Sequence, residues 1–527
     1  MDYSTAALKK LETLASMDYS TAVKKVETFT ANLDKQKLQD IGKVAAAGFA
    51  VYYVGSKLYD AFLGPLSGIP GPFIAKFTGL PQFLYNRPSG TLFENLLTLH
   101  DKYGKIVRVS PTMVQIADKD WINQVLQKQD LPKGPLYKLL APSSGKATLF
   151  STRDKVFHKQ RRRIVSPAFS VKYLNSLEVF MDSATEALVR KIDSDIKQNS
   201  SGEVDIWILL QCLALDIIGE TAFGQTFNMI ENNSHFVPVT ITERMRFASM
   251  MVNYPWIGTI ARLLSMDKDP KLTKFMQDVI VERLHTNTRR DDILQILIDT
   301  QNAEDQEDRL TAEAIISEVV LFLIAGSETT SNTTGFAIVE LLRHPEVLAK
   351  LREEIDSVPM NENQKVFHHD QIKHLPYLNA VINETMRLNS IAANGIQRVT
   401  TEETTLGQEV VLPKNTAILC QVQHAQLNPE YWPEADQFKP ERWLEDAVPK
   451  PSTDAFFPFS IGTRNCIGKN FALQEMRITI ATLVKLYDMK PIPQELKDAE
   501  QRRHFITLTV AKNSFKLLMK RREATTN

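Results

Sequence analysis

Cysteine is scarce in this chain of 527 residues: Cys212, Cys420 and Cys466 are the only three. Three thiols make no disulfide framework and suit a reducing compartment or a surface facing one. No Cys-x-x-Cys pair occurs, which argues against a cysteine-rich zinc site. A Walker loop, a Gly-x-Gly-x-x-Gly run and a His-Glu-x-x-His helix are also missing. The chain therefore has no dinucleotide-binding fingerprint of its own. Basic and acidic residues number 62 each, so the formal net charge is zero. No global field recruits nucleic acid or an acidic bilayer, and electrostatic docking must come from local patches. No unbroken apolar run reaches the ~20 residues that cross a bilayer.

What is present describes a folded protein. Apolar residues make up 43% and charged ones 24%, as in an ordinary globular chain. The N-terminal segment, residues 1–40, repeats itself: Met1-Asp-Tyr-Ser-Thr-Ala recurs at Met17, and each copy is followed by Lys-Lys and Glu-Thr. Such a duplication is too brief for a solenoid and reads as a duplicated start region. Val44–Ser56 is uncharged, and its extension to Leu66 takes in Lys57 and Asp60. A lysine can reach back to a membrane boundary, whereas an aspartate is harder to place. Residues 41–66 can be read as a buried or interfacial helix or as a membrane anchor. The following Gly64-Pro-Leu-Ser-Gly-Ile-Pro-Gly-Pro72 favours the anchor, because it cannot continue a helix and makes a semi-rigid hinge.

Residues 67–527 contain no second linker of that composition. Helical periodicity predicts helices over Asn175–Gln198, Val204–Phe223, Leu272–Leu297, Thr311–Arg343 and Lys373–Leu388. Short β-rich pieces are expected at Ile106–Ile116, Gln397–Thr405 and Thr416–Gln423. The expected fold is one large, mainly α domain with small β-sheets. A single domain of this size asks for an organising element, and a buried cofactor would serve.

Phe459-Ser-Ile-Gly-Thr-Arg-Asn-Cys-Ile-Gly468 fits Phe-x-x-Gly-x-Arg-x-Cys-x-Gly. Five fixed positions recur by chance in about one chain in several thousand. This run resembles the haem-ligand loop of the cytochrome P-450 family, here of microsomal eukaryotic and fungal type. The resemblance implies haem b (iron protoporphyrin IX), with Cys466 as axial ligand to the iron. A thiolate pushes electron density onto iron and favours O–O cleavage. Gly462 and Gly468 would let the main chain turn and approach the porphyrin. Arg464 would bond a haem propionate, and Phe459 would shield the sulfur side. Gly468 opens the stretch Lys469–Leu486, whose helix dipole would stabilise the negative sulfur.

Other segments resemble the same family in the same order. Ala325-Gly-Ser-Glu-Thr-Thr330 interrupts an apolar helix and is similar to the family's oxygen-activating run. By that resemblance Glu328 would relay protons, Thr329 would offer its hydroxyl to dioxygen, and Gly326 would leave room and allow a local bulge. Glu384-x-x-Arg387 stands 82 residues before Cys466, with Phe438-Lys-Pro-Glu-Arg-Trp443 between them. Arg442 would join Glu384 and Arg387 in a buried network that fixes architecture. Trp443 stands where the family has Phe, and Ser390 where it has Pro. Arg398, on an expected strand, would contact a propionate. His158-Lys-Gln-Arg-Arg-Arg163 is similar to the helix whose Trp-x-x-x-Arg pair clamps the propionates, with His158 in the tryptophan place and Arg162 in the arginine place. For Arg161 and Arg163 a haem role, a solvated face and a docking patch stay open.

The resemblance implies a monooxygenase acting on a lipophilic small molecule, with a steroid or similar polycycle ahead of a fatty acid or an aromatic. Electrons would come from NADPH through a separate NADPH-cytochrome reductase. The N-terminal segment would hold the enzyme to the endoplasmic reticulum membrane, with the catalytic domain on the cytosolic side and no nucleic-acid partner. The pocket would draw on Leu140, Phe150, Phe247, Ile391, Ile396 and Ile506. Two rivals stand beside this reading. One is a haem-thiolate isomerase or dehydratase that needs no reductase. The other is a non-catalytic haem-binding protein.

Overall fold

The computed structural model describes residue 24 and residues 35–141, 147–231, 236–264, 270–286, 289–290, 292–361 and 364–523. The duplicated Met1 and Met17 segments, apart from residue 24, lie outside the described residues. The chain divides into two units, Met1–Ser67 and Gly68–Asn527.

In the first unit, helix α1 spans Lys35–Phe62. Its apolar side chains face outward: Val44, Phe49, Val51 and Tyr52 are each more than two-thirds exposed. The second unit is mainly helical with small sheets. Helix α2 (Lys155–Val165) is capped by Asp154, whose side chain accepts the Val156 and Phe157 N–H groups. Helix α3 (Glu178–Gln198) leads through a short strand to α4 (Ile206–Phe223). Helix α4 is apolar on every face, as a core helix must be. It packs along α5 (Ala312–Arg343), the central helix, whose cap is Thr311. Both α4 and α5 have the length and composition of a membrane span, but α4 is buried in the core of this unit and α5 is buried over about half of its apolar stretch. Helix α6 (Pro376–Leu388) starts with proline at its first position, where the missing N–H costs nothing. Helix α7 (Lys469–Leu486) runs against α5.

Four short strands form the main sheet: β1 (Ile106–Ser110), β2 (Met113–Ile116), β3 (Ile396–Val399) and β4 (Ala417–Cys420), in the order β1-β2-β4-β3. The β2–β4 pair is parallel, with Met113 opposite Ala417, and the other two pairs are antiparallel. A separate hairpin pairs β5 (Arg502–Phe505) with β6 (Thr507–Val510). Ile506 turns it alone with a left-handed φ of 73°. That conformation is costly for a β-branched residue.

Three expected elements come out differently. The helix expected over Leu272–Leu297 is two helices, Pro270–Thr286 and Ile293–Asp299. Asp292 starts the second one by accepting the Gln295 N–H, and it also takes a bidentate ion pair from Arg283. Gln397–Thr405 divides between two sheets, ending β3 at Val399 and opening a second strand at Thr404. Thr416–Gln423 is strand only to Cys420 and then turns into a helix at Val422.

Candidate functional site

Cys466 lies three residues before the first residue of α7, on a loop pinned by its own backbone. The Cys466 N–H donates to Phe459 O at 2.9 Å and the Asn465 N–H to Gly462 O at 3.2 Å. Gly462 has φ 77°, and a Cβ there would fall 2.2 Å from Leu126 O, so no side chain fits. Gly468 is different: it has an ordinary φ of −85° and room for a Cβ at 3.9–4.0 Å from Phe169 and the Cys466 Sγ. The protein itself does not require glycine at 468. Phe459 is half-buried against the core, with Lys469 Nζ 5.9 Å from its ring centroid.

The Cys466 residue keeps accessible surface, and its thiol is free. Burial raises its pKa. The Gly468 N–H, Arg162 and Lys469 oppose that shift and favour the thiolate. Arg162 does this from an unexpected position. Its guanidinium donates to Thr463 O (3.1 Å), Asn465 O (2.8 Å) and Asn465 Oδ1 (2.6 Å). The residue expected to clamp a propionate grips the cysteine loop from α2. An arginine fork suits several backbone acceptors at once.

A second feature is a buried concentration of basic groups. Arg464 donates to Thr152 O at 2.7 Å and Asp154 O at 3.1 Å. Arg398, on β3, is almost wholly buried, and its Nε has no hydrogen-bond partner. Lys133 forms an isolated β-bridge with Arg398. Its ammonium donates to Phe150 O and sits 4.6 Å and 4.5 Å from the ring centroids of Tyr137 and Phe150. Burial, Arg398 and Arg464 hold its pKa well below the usual lysine range. His158, buried on α2, is pushed down to about 3 by burial and then by Arg464, Lys133, Arg162 and Arg398. It is neutral at physiological pH, with a ring N–H still available to donate. Sequence reasoning missed Lys133, since Pro132-Lys-Gly134 matches no motif and its meaning lies in a partner 265 residues away.

Cations gathered out of water are unfavourable unless something anionic joins them. Asp130 and Asp154 reach Arg464 electrostatically, but burial and repulsion still prevail at Lys133 and His158. A cofactor carrying two carboxylates would relieve that repulsion and occupy the orphaned Arg398 Nε. The cysteine loop and this cluster therefore fit haem.

The third feature is the middle of α5. The helix is continuous, so the bulge expected at Gly326 is not there. A Cβ at Gly326 would fall 2.9 Å from Ile218 Cδ1 on α4, and glycine there permits the close helix crossing. Ala325 is exposed although its helix runs through the core. Phe169 links this region to the cysteine loop: its ring lies 5.8 Å from Phe322, one turn before Ala325. The Thr329 hydroxyl donates to Ala325 O at 2.7 Å. Ser327, Ser331, Thr333 and Thr334 satisfy themselves the same way, four residues back. Glu328 is buried, and burial raises its pKa to about 7 against a hydrogen bond from Asn332. Asn332 also donates to Leu508 O on β6, tying the hairpin to α5.

The Glu384–Arg387–Arg442 network forms. Both Glu384 and Arg387 are wholly buried. Glu384 accepts from Arg387 Nε and Nη2 (2.8 Å each), Arg442 Nε, Lys439 N and the Trp443 indole (2.9 Å each). Trp443 thus adds a bond that phenylalanine lacks. Ser390 also has a local reason: its N–H donates to Gln423 Oε1 at 3.1 Å, which a proline could not do. In the basic run, Arg161 is buried 3.3 Å from Glu318, and Arg163 pairs with Asp308 at the surface. Arg161 is therefore neither a solvated residue nor a docking one.

Two of the expected pocket residues, Ile391 and Ile506, meet at the hairpin. The Leu508 N–H donates to Ile391 O at 3.1 Å, and Arg246, beside Phe247, stacks on Phe505. Tyr137 and Phe150 meet edge to face at 5.4 Å. Within 134–150, residues 142–146 lie outside the described residues.

A family model described as Cytochrome P450 matches residues 70–519. The chain is 34% identical over 454 residues to Cytochrome P450 monooxygenase acrD of Aspergillus aculeatus, covering 84% of this chain and 89% of that one. It is 32% identical over 526 residues to Cytochrome P450 monooxygenase FUS8 of Gibberella fujikuroi, covering 98% and 99%. A further relative, Cytochrome P450 monooxygenase TRI4 of Fusarium sporotrichioides, is 28% identical over 476 residues.

Proposed function

The chain belongs to the cytochrome P450 family, a fungal monooxygenase by its relatives, and we propose that it hydroxylates a lipophilic small molecule with electrons from NADPH. The observation that carries this reading is the set of three features above: the Cys466 loop, the buried basic cluster and the Glu328–Thr329 turn of α5. When bound, haem b supplies oxygen activation and oxygen transfer. The protein's side chains do the rest. Cys466 presents its sulfur from a loop held by Arg162 and the Gly468 N–H. Lys133, Arg398, Arg464 and the His158 ring N–H would hold the two haem carboxylates. Glu328, protonated below about pH 7, holds a proton in the core next to the accessible face of α5. Thr329 donates back to its own helix, and its oxygen remains free to accept.

Leu140, Phe150, Phe247, Ile391, Ile396 and Ile506 offer an apolar lining, for which a steroid or similar polycycle is the first choice. A separate NADPH-cytochrome reductase delivers the electrons. Helix α1 attaches the enzyme to the endoplasmic reticulum membrane, leaving the catalytic domain cytosolic. Its 28 residues reach about 42 Å, and its outward apolar side chains suit lipid better than water. Lys57 can extend its ammonium to the boundary. The rival isomerase or dehydratase has no need for a proton store on α5, and Glu328 counts against it. Product analysis under labelled dioxygen, with steroid, fatty-acid and aromatic candidates, separates them. A product with one labelled oxygen, formed only with NADPH and reductase, supports the monooxygenase. An unlabelled rearranged product formed without reductase supports the rival, and intact haem with no product supports a binding protein.

A further inference from the structure

Helix α3 carries Glu178 and Asp182 four residues apart, on one face. Against that face lies His368, at the start of the short helix His369–Ile372. His368 Nδ1 is 2.7 Å from Asp182 Oδ2 and 3.9 Å from Glu178 Oε1, and one donor atom from each residue lies within 4.8 Å of the others. The two carboxylates are mostly buried, at 19% and 13% exposure, while His368 is 55% exposed. Two details point to a missing ligand. The Asp182 Oδ1 is buried with no hydrogen-bond partner. The Glu178 carboxylate is already oriented by the His369 N–H at 2.7 Å, as an outer-shell donor fixes a metal-ligating carboxylate.

We propose that Glu178, Asp182 and His368 form a structural site for a divalent cation of the zinc class, joining α3 to the segment around residue 368. With bonds of about 2.1 Å, the donor atoms of a tetrahedral zinc site stand roughly 3.4 Å apart. The spacings of 2.7 Å, 3.9 Å and at most 4.8 Å bracket that value, so side-chain rotation suffices to close the site. One imidazole and two carboxylates suit zinc better than magnesium or calcium, which take oxygen ligands. Two negative charges compensate the ion, and the exposed side of His368 gives it an entry path and room for a water as fourth ligand.

The full-length, haem-loaded protein without a histidine tag is stripped with chelator and dialysed against zinc, and the bound metal is counted. The proposal expects one zinc per chain and a Tm that rises with zinc. His368→Ala and Asp182→Asn should each weaken binding at least tenfold and abolish the Tm rise, while Glu186→Gln on the next turn keeps both. Asp182→Asn preserves volume and guards against a folding defect in the other variant, with an unchanged haem spectrum as the check. Stoichiometric zinc retained by both variants would place the metal elsewhere. No stoichiometric zinc in the parent protein would reduce the cluster to a His–Asp ion pair. Either result overturns the proposal.

Discussion

Replacing Glu328 with glutamine should make the protein more stable, and increasingly so as pH rises. The carboxyl is buried in α5, and its pKa is raised from 4.5 to about 7. Below pH 4.5 both the folded and unfolded chains hold this proton, and ionisation adds no cost. Between 4.5 and 7 the unfolded chain releases it while the folded chain keeps it, so native stability declines with pH. Above 7 the decline is complete and amounts to about 3 kcal/mol, from 1.36 kcal/mol per pH unit. Glutamine keeps the shape and can still bond Asn332, but never ionises. The gap in favour of Glu328→Gln should therefore grow from about 1 kcal/mol at pH 5.5 to about 3 kcal/mol at pH 8.5. Glu318 and Glu475 are likewise raised, to about 7 and about 8, but they titrate in both proteins and cancel in the difference. The assay is thermal denaturation across that pH range at equal haem content, and the Tm difference should widen with pH. Turnover should fall at the same time and lose any dependence on a group titrating near 7. A variant less stable than the parent at pH 8.5, or a Tm gap independent of pH, would refute the reasoning. A gain in stability with a loss of turnover is what a buried proton store predicts.

Trp443→Phe removes one hydrogen bond to the Glu384 carboxylate while leaving an aromatic ring in place. It should cost about 1.5–3 kcal/mol, and much less in a Glu384→Gln background, as a double-mutant cycle of Tm values would show. Lys133→Gln takes the ammonium from the buried basic cluster. Haem transfer to an acceptor apoprotein should speed up by about ten- to a hundredfold, the equivalent of one charge-assisted bond. Unchanged haem release would separate Lys133 from cofactor binding.

Local chemistry made much of this legible in the sequence. Thr311 caps α5 and Pro376 opens α6 because a side-chain acceptor and a fixed φ act on neighbouring residues alone. The cysteine loop was readable because its spacing is set by one tight turn, centred on Gly462. Sequence patterns are silent where distant partners decide. The motif puts Arg162 at a propionate, and the bonds to Thr463 and Asn465, some 300 residues away, have no signature in the sequence. Lys133 has no local signature and acquires its role from Arg398 and Arg464. The helical break at Asp292 depends on Arg283, and the end of β4 on the helix that follows it. Trp443 and Ser390 looked like departures, but each finds its partner only in three dimensions, at Glu384 and Gln423.

The most direct test of the account is the absorption spectrum of the reduced carbon-monoxide complex, recorded for the parent protein and for Cys466→Ser. The account predicts the red-shifted band of a thiolate-ligated haem in the parent protein and its loss in the variant. The same band in both proteins, or in neither while haem is bound, would contradict the assignment of Cys466 as the ligand.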